Sequence, residues 1–253
     1  MINIMLSGCN GVMGRAIANT VKKSDISKIV VGIDINTEIS NDFPVLSNPF
    51  DYQGKPDVII DFSHPSALDT ILDYAIQNRI PAILATTGYS EEQLAKIKDA
   101  SSTIAVFQSY NMSIGISLMA ALCQKAAQIL GDDFDIEIVE KHHNQKIDAP
   151  SGTAILLANR INDGLESPYQ YVYDRHTRRQ KRDAKEIGIS SLRGGTIVGE
   201  HSVFYAGNQE ILEIKHTATS KEVFALGAVR AAAWIIDKKP SFYDMQDYMK
   251  SIF

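Results

Sequence analysis

Cysteine is scarce in this chain, and its scarcity excludes two classes of protein. The 253 residues include two cysteines, Cys9 and Cys123. Two cysteines are too few for the disulfide framework of a small secreted protein, and neither belongs to a C-x-x-C or Cys/His pair with the spacing of a zinc site. We therefore expect a reducing, cytoplasmic compartment and no bound metal.

Long hydrophobic runs and an excess of positive charge are also lacking. No run approaches the roughly 18 consecutive apolar residues of a membrane-spanning helix, so we expect no membrane segment. The stretch from Leu6 to Cys9 resembles a lipoprotein cleavage box, but no basic residue precedes it and the apolar part is too short for a signal peptide. The net charge of −5 argues against non-specific binding to nucleic acid.

The first half of the chain alternates short strands with helices. Five runs rich in Ile and Val, each bounded by Gly, Pro, Asp or Ser, are typical of buried parallel strands. They lie at residues 2–6, 29–33, 58–62, 82–85 and 104–107. Helical stretches separate the runs, and Ser90 followed by Gln93 is a capping box at the start of one helix. This alternation predicts right-handed βαβ units and a parallel sheet covered on both faces.

The pattern changes after residue 113. Long apolar and mixed helices are predicted at 114–130 and 151–161, and strands at 134–139, 188–192, 201–204 and 210–216. This order indicates an α+β domain with a mixed, mostly antiparallel sheet. Two terminal helices, 221–236 and 243–252, return to the first domain. We predict an α/β protein: a Rossmann-type dinucleotide-binding domain formed by residues 1–112 and 221–253, and a substrate-binding domain formed by 113–220.

A glycine-rich loop follows the first strand and opens a helix. Its three glycines, in residues 8–14, permit a tight turn and let backbone amides approach a pyrophosphate at the helix N-terminus. Asp34 follows Gly14 by about 20 residues, the spacing of a carboxylate that binds the adenosine ribose hydroxyls. A carboxylate repels a 2′-phosphate, and neither Val12 nor Ile35 is a cation, so NADH is expected to be preferred over NADPH. A tight turn without a ligand is the alternative.

Two later loops follow the fourth and fifth strands. Residues 86–88, Thr-Thr-Gly, and residues 109–112, Ser-Tyr-Asn-Met, stand where ligands of parallel sheets bind. We expect both to line the nicotinamide half of the cofactor site, although the first could equally be an ordinary polar turn. Cys9, inside the glycine loop, has no His or acid near it in sequence, so we expect a small buried residue rather than a catalytic thiol.

Residues 140–154 are the most informative stretch, with the sequence Glu-Lys-His-His-Asn-Gln-Lys-Ile-Asp-Ala-Pro-Ser-Gly-Thr-Ala. His142 and His143 are adjacent, so they project to opposite sides of a strand and are poor ligands for one metal ion. Histidine is a natural proton donor near neutral pH, and Lys146 adds a charge that can bind a carboxylate. The amides and hydroxyls of 151–153 can bind an anion. We predict a pocket for a small acidic substrate; a polar loop with a helix cap is the alternative.

This stretch resembles the signature E-x-H-H-x-x-K-x-D-A-P-S-G-T-A of the 4-hydroxy-tetrahydrodipicolinate reductases (dihydrodipicolinate reductases), enzymes of lysine and diaminopimelate biosynthesis. Further similarities run along the chain, at the glycine loop and at residues 86–88, 111–115, 193–195, 199–201, 216 and 224–228. The resemblance implies reduction of a cyclic imine dicarboxylate by NAD(P)H, with hydride delivered to ring carbon 4 and loss of the 4-hydroxyl as water. It also implies a cytoplasmic homotetramer built through the sheets of the second domain.

The resemblance also implies roles for individual residues. His142 would be the proton donor and Lys146 a second proton donor, while His143, Gly152 and Thr153 would bind substrate. The residues that would bind the cofactor are Gly8, Cys9, Asn10, Gly11, Val12, Met13, Asp34, Ala85, Thr86, Thr87, Ser109, Tyr110, Asn111 and Met112.

The chain departs from the family pattern at a few positions. Val12 and Ile35 stand where members that use NADPH carry Arg, which favours NADH. Ala85 replaces the Gly that often begins its loop, and Lys221 stands where Arg often follows Ser. These last two changes are mild and leave the expected activity intact.

Three other functions compete with this interpretation. The basic run 175–182 is the best argument for a nucleic-acid-binding module, although such runs usually face water. An enzyme such as aspartate-semialdehyde dehydrogenase would need a catalytic cysteine in the second domain, and Cys123 lies in an apolar helix instead. A non-catalytic NAD sensor would leave the His-His-Lys stretch without a purpose. We therefore expect a small dicarboxylate substrate, and neither a nucleic-acid nor a membrane partner.

Overall fold

The computed structural model describes residues 1–176 and 178–252; Thr177 and Phe253 lie outside the described part of the chain. The chain divides into two compact units. The first consists of Met1–Ile114 together with the chain from Lys221 onward, and the second of Gly115–Ser220. The core of the first unit therefore draws on both ends of the sequence.

Seven parallel strands form the sheet of the first unit. Numbered along the chain, they are β1 (Ile2–Ser7), β2 (Ser27–Ile33), β3 (Val45–Leu46), β4 (Val58–Asp61), β5 (Ala82–Leu84), β6 (Ala105–Gln108) and β12 (Ser241–Tyr243). Their order across the sheet is β12-β6-β5-β4-β1-β2-β3, with every pairing parallel. The predicted parallel sheet is confirmed, because runs of Ile and Val that are buried on both faces suit parallel strands.

Helices cover both faces of this sheet. They are α1 (Val12–Lys22), α2 (Leu68–Asn78), α3 (Glu91–Ala100), α6 (Glu222–Ile235) and α7 (Met245–Lys250). One core joins alternate residues of β1 to α1, α6 and α7, and a second core joins the opposite face to α2 and α3. The predicted capping box at Ser90 and Gln93 is present at the start of α3. The Rossmann-type architecture of the first unit is therefore confirmed.

The small residues of α6 let it approach the rest of the first unit closely. Ala225, Ala228 and Ala231 are fully buried in the core beside β1. A Cβ atom on Gly227 would lie 1.7 Å from the backbone oxygen of Met112. The helix that follows the second unit in sequence thus packs against the segment that precedes it.

A five-stranded mixed sheet forms the second unit. Its strands are β7 (Asp135–His142), β8 (Gln170–Val172), β9 (Glu186–Arg193), β10 (Gly199–Ala206) and β11 (Ile211–Ala218), in the order β11-β10-β7-β9-β8. β10 is antiparallel to both of its neighbours, whereas β9 is parallel to both β7 and β8. The predicted mixed sheet is confirmed, with a more even split of pairings than expected, because the chain crosses back through a helix after β7.

Two helices, α4 (Ile114–Leu130) and α5 (Gly152–Asn162), pack on one face of the second sheet. With its following turn, Ile114–Asp133 is long enough and apolar enough to cross a membrane, with a mean hydropathy of 1.3 and 28% of the window buried. This segment contains no unbroken apolar run of about 18 residues, and it meets the membrane criterion through its mean hydropathy instead. Length and composition are weak support for a membrane span, since core helices pass the same test, and one face of α4 lies in the core with Met119 and Cys123.

The basic run 175–182 is tied to the second sheet by acidic residues. Arg175 pairs with Glu137 and Glu186, and Arg182 pairs with Glu137 at 3.1 Å and with Asp135 at 2.7 Å. Thr177, inside this run, lies outside the described residues. Carboxylates of the second sheet thus neutralise the charge of Arg175 and Arg182.

Candidate active site

The glycine loop after β1 is built so that its backbone can approach a ligand. Gly8 has φ 74°, a conformation that favours glycine. A Cβ atom on Gly14 would lie 2.1 Å from the backbone oxygen of Gly8 and 2.6 Å from that of Cys9. α1 begins after Gly11 with no side-chain cap and no acid in its first turn. The amides of that turn therefore face an open end of the helix, as at a phosphate site.

Asp34 holds this loop from the end of the neighbouring strand. Its carboxylate accepts hydrogen bonds from the backbone amide of Asn10 at 2.9 Å and from that of Asn36 at 3.0 Å. The side-chain amide of Asn10 donates to the backbone oxygen of Asn36 at 2.6 Å. Val12, the first residue of α1, is 59% exposed, and Ile35, the residue after Asp34, is 99% exposed. The structure thus brings the predicted loop and the predicted acid together.

Cys9 is fully buried within the loop. Burial and, to a smaller extent, the nearby Asp34 carboxylate raise the pKa of its thiol to about 11. The thiol therefore stays protonated at neutral pH, and only the backbone of Cys9 is available to a ligand. This agrees with a small core residue and not with a nucleophile.

A buried carboxylate, Asp61, organises the next loop and was missed at the sequence level. It ends β4 and accepts hydrogen bonds from the hydroxyls of Thr86 at 2.8 Å, Tyr89 at 3.2 Å and Ser63 at 2.5 Å. Burial raises the pKa of Tyr89 strongly, so this hydroxyl remains a donor. The predicted loop residues Ala85 and Thr86 are buried, and Thr87 is exposed. The sequence feature that could have identified Asp61 is its position as an acidic residue at the end of a buried strand.

The loop after β6 carries the remaining predicted cofactor residues. The amide of Ser109 donates to the backbone oxygen of Leu84 at 3.2 Å, which joins this loop to the end of β5. The hydroxyl of Ser109 donates to the backbone oxygen of Asn111 at 2.8 Å. Tyr110 is exposed and Met112 is buried. The predicted cofactor residues therefore follow the carboxyl ends of two adjacent pairs of strands, β1-β2 and β5-β6, on either side of β4, where ligands of such sheets bind.

In the second unit, His142 is the last residue of β7 and sits in a network of charges. Its Nδ1 atom donates to Oε2 of the fully buried Glu140 at 2.5 Å. Both guanidinium nitrogens of Arg193 donate to the same carboxylate, at 2.8 and 2.7 Å. Burial lowers the pKa of His142 below its ordinary value, and Glu140 opposes that effect by stabilising the imidazolium. The net shift is downward, so the neutral imidazole is favoured at neutral pH, and Glu140 limits that shift.

Lys146 lies in the loop that follows His142. Its ammonium group is 2.7 Å from Oδ1 of Asp148. Burial opposes the charge of Asp148, but the hydrogen bond and charge of Lys146, together with backbone amides, outweigh burial and lower the pKa of that carboxyl. Because Asp148 is mostly exposed and Lys146 is mostly buried, an anionic ligand can replace this carboxylate as the partner of the ammonium group.

α5 begins beside this cluster and offers an anion site. Ser151 is its N-cap and accepts from the amide of Ala154 at 3.2 Å. Gly152, the first helical residue, is exposed, and a Cβ atom built there would meet nothing within 4 Å. Thr153 is half-buried, as is His143, which follows the end of β7. Ser151 therefore caps α5, as the alternative interpretation of this stretch expected, and the space beside Gly152 is empty as well.

His201 of β10 closes the cluster from a neighbouring strand and was not assigned a role from sequence. Its Nε2 atom is 3.0 Å from the Ser151 hydroxyl, and its ring meets that of His142 edge to face at 5.2 Å. Burial and the nearby His142 lower the pKa of His201 to about 3, so it is neutral at pH 7. A Cβ atom on Gly199 would lie 3.0 Å from Nε2 of His142. A glycine there keeps that nitrogen unobstructed.

The residues of the second unit can hold a small anion and deliver a proton to it. His142 supplies the titrating group, Lys146 a positive charge and the start of α5 its backbone amides, of which that of Gly152 donates to Asp148. Over the described ranges, no group of three or more His, Cys, Asp or Glu residues is arranged to hold a metal ion. These groups suit proton transfer to an anionic ligand, and the glycine loop of the first unit suits a dinucleotide that donates hydride.

Comparison with protein families decides between the possible oxidoreductases. Residues 2–112 match the model described as "Dihydrodipicolinate reductase, N-terminus", and residues 115–249 match "Dihydrodipicolinate reductase, C-terminus". This chain belongs to the dihydrodipicolinate reductase family. The resemblance seen in residues 140–154 is thereby confirmed over the length of both matches.

Full-length relatives agree with that assignment. The 4-hydroxy-tetrahydrodipicolinate reductase of Caldanaerobacter subterraneus is 46% identical over 250 residues, which cover 99% of each chain. The enzyme of the same name from Clostridium tetani is 46% identical over 251 residues, covering 99% of this chain and 98% of the relative. The similarity thus includes both units of the chain.

Solved structures show the same fold. A dipicolinate-bound dihydrodipicolinate reductase from Paenisporosarcina has a TM-score of 0.81 at 25% identity, covering 96% of this chain and 97% of that one. A myo-inositol dehydrogenase from Corynebacterium glutamicum has a TM-score of 0.61 at 17% identity and shares the fold alone. Within this fold, the alternative that needs a catalytic cysteine fails, because burial raises the pKa of Cys123 to about 12.

Proposed function

We propose that this chain reduces 4-hydroxy-tetrahydrodipicolinate to tetrahydrodipicolinate with NAD(P)H, in lysine and diaminopimelate biosynthesis. His142 and Lys146 act as the proton donors. The observation that carries the reaction is the match of both units to one reductase family. The residue roles are supported by the position of His142, which is hydrogen-bonded at Nδ1 and has a glycine, Gly199, instead of a side chain next to Nε2.

The dinucleotide fits the glycine loop of the first unit. The loop has no room for a Cβ atom at Gly14, and the first turn of α1 has no acid to repel a phosphate. Residues 8–13 would hold the pyrophosphate, and Asp34 would accept hydrogen bonds from the adenosine ribose hydroxyls. Residues 85–87 and 109–112 hold the nicotinamide half. Bound there, NAD(P)H supplies the hydride that is transferred to ring carbon 4.

The substrate is a dianion at neutral pH, and the second unit offers groups that bind it. The backbone amides at the start of α5, those of Gly152 and Thr153, donate hydrogen bonds to one carboxylate of the substrate. His143 and the ammonium group of Lys146 contribute further hydrogen-bond donors. As the substrate binds, its carboxylate replaces Asp148 as the partner of Lys146, so the positive charge is directed toward the ring.

Proton delivery follows from the geometry of His142. Glu140 accepts from Nδ1, so the imidazolium presents its second proton at Nε2. A negative substrate beside the ring stabilises the imidazolium and raises the share of His142 that carries the proton. Lys146 holds a second proton close by, and either group can protonate the ring system after hydride transfer or assist the departure of the hydroxyl as water.

The direct test of this function is a coupled assay with dihydrodipicolinate synthase, in which oxidation of NADH is followed by its absorbance. We expect NADH oxidation that depends on both enzymes and on the synthase substrates. Absence of oxidation above background with a folded protein would rule out the proposed function.

The cofactor preference follows from the charges around the adenosine ribose. We expect a higher kcat/KM with NADH than with NADPH, because Asp34 repels a 2′-phosphate and Val12 and Ile35 offer no cation. Ile35→Arg, at an almost fully exposed position, is expected to raise kcat/KM for NADPH several-fold. Ile26→Arg, at an exposed position elsewhere in the first unit, is the control. A clear preference of the unmodified protein for NADPH would contradict the role of Asp34.

The proposal includes the setting in which the enzyme acts. We propose a cytoplasmic homotetramer assembled through the sheets of the second units, with a small dicarboxylate as substrate and no nucleic-acid or membrane partner. Exposed apolar side chains on the sheet support an interface between copies: Leu192 of β9 and Ile211 and Leu212 of β11.

A further inference from the structure

Glu140 is a fully buried charge that the proton transfer itself does not use. It lies two residues before His142 on β7, so both side chains project from the same face of the sheet. Its Oε2 atom accepts from His142 Nδ1 and from Arg193, and its Oε1 atom accepts from Arg193 and from the backbone amide of Ser151 at 3.1 Å. One carboxylate therefore contacts three elements: β7, β9 and the start of α5.

This arrangement links the two halves of the substrate pocket within the second unit. A carboxylate accepts hydrogen bonds only, so His142 must donate from Nδ1, which sets both the orientation of the ring and the nitrogen left for a ligand. The bond to Ser151 sets the position of the N-cap of α5 and, through it, the amides at Gly152. The relative position of proton donor and anion site thus depends on Glu140.

We propose that Glu140 is a positioning residue for the reduction. It orients the imidazole of His142 through Nδ1 and fixes the position of the anion-binding start of α5 relative to that imidazole. Arg193 keeps the Glu140 carboxylate ionised and in place. This inference rests on the proposed function, since it takes His142 as the proton donor. Glu140 has no contact with reacting atoms in this scheme and acts through the two groups it holds.

The charges around His142 agree with this role. Glu140 faces it from its own strand, Arg193 from β9, His201 from β10 and Lys146 from the following loop. Burial opposes the charge of Glu140, but hydrogen bonds from Arg193 and other donors outweigh it and lower its pKa to about 2. Glu140 is thus ionised at every working pH. Burial, Lys146 and Arg193 all lower the pKa of His142, and Glu140 raises it.

The experiment compares Glu140→Gln with Glu137→Gln. Glu137 lies on the same strand and also pairs with arginines, but it belongs to the opposite face and does not contact His142. We expect Glu140→Gln to lower kcat by about tenfold or more, with a smaller change in KM for NADH. The alkaline loss of kcat/KM, where His142 gives up its proton, should move to lower pH. Glu137→Gln should leave kcat and the pH profile within about twofold of the unmodified protein.

A second variant covers the case in which Glu140→Gln does not fold. Glu140→Asp keeps a carboxylate for Arg193 but shortens its reach to Nδ1, so it should recover thermal stability without recovering kcat. In addition, ¹⁵N NMR of the unmodified protein should show neutral His142 as the Nδ1–H tautomer. Observation of the Nε2–H tautomer, or full kcat with an unchanged pH profile in a folded Glu140 variant, would overturn the positioning role.

The outcomes also separate this inference from the proposed function. If His142→Ala loses activity while folded Glu140→Gln keeps it, the positioning role fails and the proton-donor role stands. If His142→Ala keeps full activity, the proton-donor role fails, and the positioning role that depends on it fails as well.

Discussion

Replacing His142 by alanine is expected to lower kcat by about 100-fold or more, the contribution typical of a positioned general acid. Glu140 holds the imidazole ring at Nδ1, and Gly199 places no side chain against Nε2. The alanine variant therefore loses a proton donor whose orientation is fixed before the substrate binds. Lys146→Ala is expected to lower kcat by a similar factor and also to raise KM for the substrate, because the ammonium group both binds the dianion and holds a second proton. Steady-state kinetics in the coupled assay measures both effects.

A neighbouring lysine provides the control for these variants. Lys141 is the residue before His142 and pairs with Glu200 on the other face of the sheet, at 3.4 Å. Lys141→Ala should therefore stay within about twofold of the unmodified protein, since an exposed ion pair contributes little. Near-normal kcat in both His142→Ala and Lys146→Ala would overturn their assignment as proton donors.

Gly14→Ala is expected to have the largest effect in the first unit. The added methyl would lie 2.1 Å from the backbone oxygen of Gly8 and 2.6 Å from that of Cys9. Both are backbone atoms, so the loop or α1 must move. We expect the free energy of unfolding to fall by about 3 kcal/mol or more, together with loss of NADH binding. Thermal melting and titration of NADH fluorescence measure the two consequences.

Gly11→Ala is the matched control in the same loop. A Cβ atom there would contact only the backbone oxygen of Gly8, at 3.3 Å, and Gly11 has an extended conformation with φ −70°. Its loss of stability should therefore be clearly smaller than that of Gly14→Ala. Equal melting temperatures for Gly14→Ala and the unmodified protein would show that the loop can move aside, contrary to the close packing described above.

Long, patterned elements and the three-residue β5 could be predicted from sequence, but three other very short strands could not. The helix predicted at 114–130 matches α4, and the strands predicted at 29–33 and 58–62 lie within a residue or two of β2 and β4. By contrast, β3, β8 and β12 have two or three residues each. Such strands show no periodicity of their own. They form because a neighbouring strand offers unpaired backbone groups, which is a property of the assembled sheet.

Some residues of the candidate site could likewise be predicted from sequence, and others could not. The glycine loop with Asp34, and the stretch that contains His142 and Lys146, could be predicted because their residues are close in sequence or at a typical spacing. The roles of Asp61, Glu140 and Arg193 could not. Glu140 stood in the quoted stretch, yet its contact with Arg193 joins residues 53 apart, and its burial is decided by the packing of α5 on the sheet.

The sequence by itself determined which chemical groups this protein has and the family to which it belongs, because a motif of His, Lys, Ser and Gly at close spacing specifies local chemistry. The tertiary structure alone decided how those groups are oriented and what surrounds them. Burial of Glu140 between β7, β9 and α5 sets the donor atom of His142, and the approach of Gly199 leaves Nε2 open. Both effects depend on distances between residues far apart in the chain, and on the exclusion of water that strengthens charges in a folded interior.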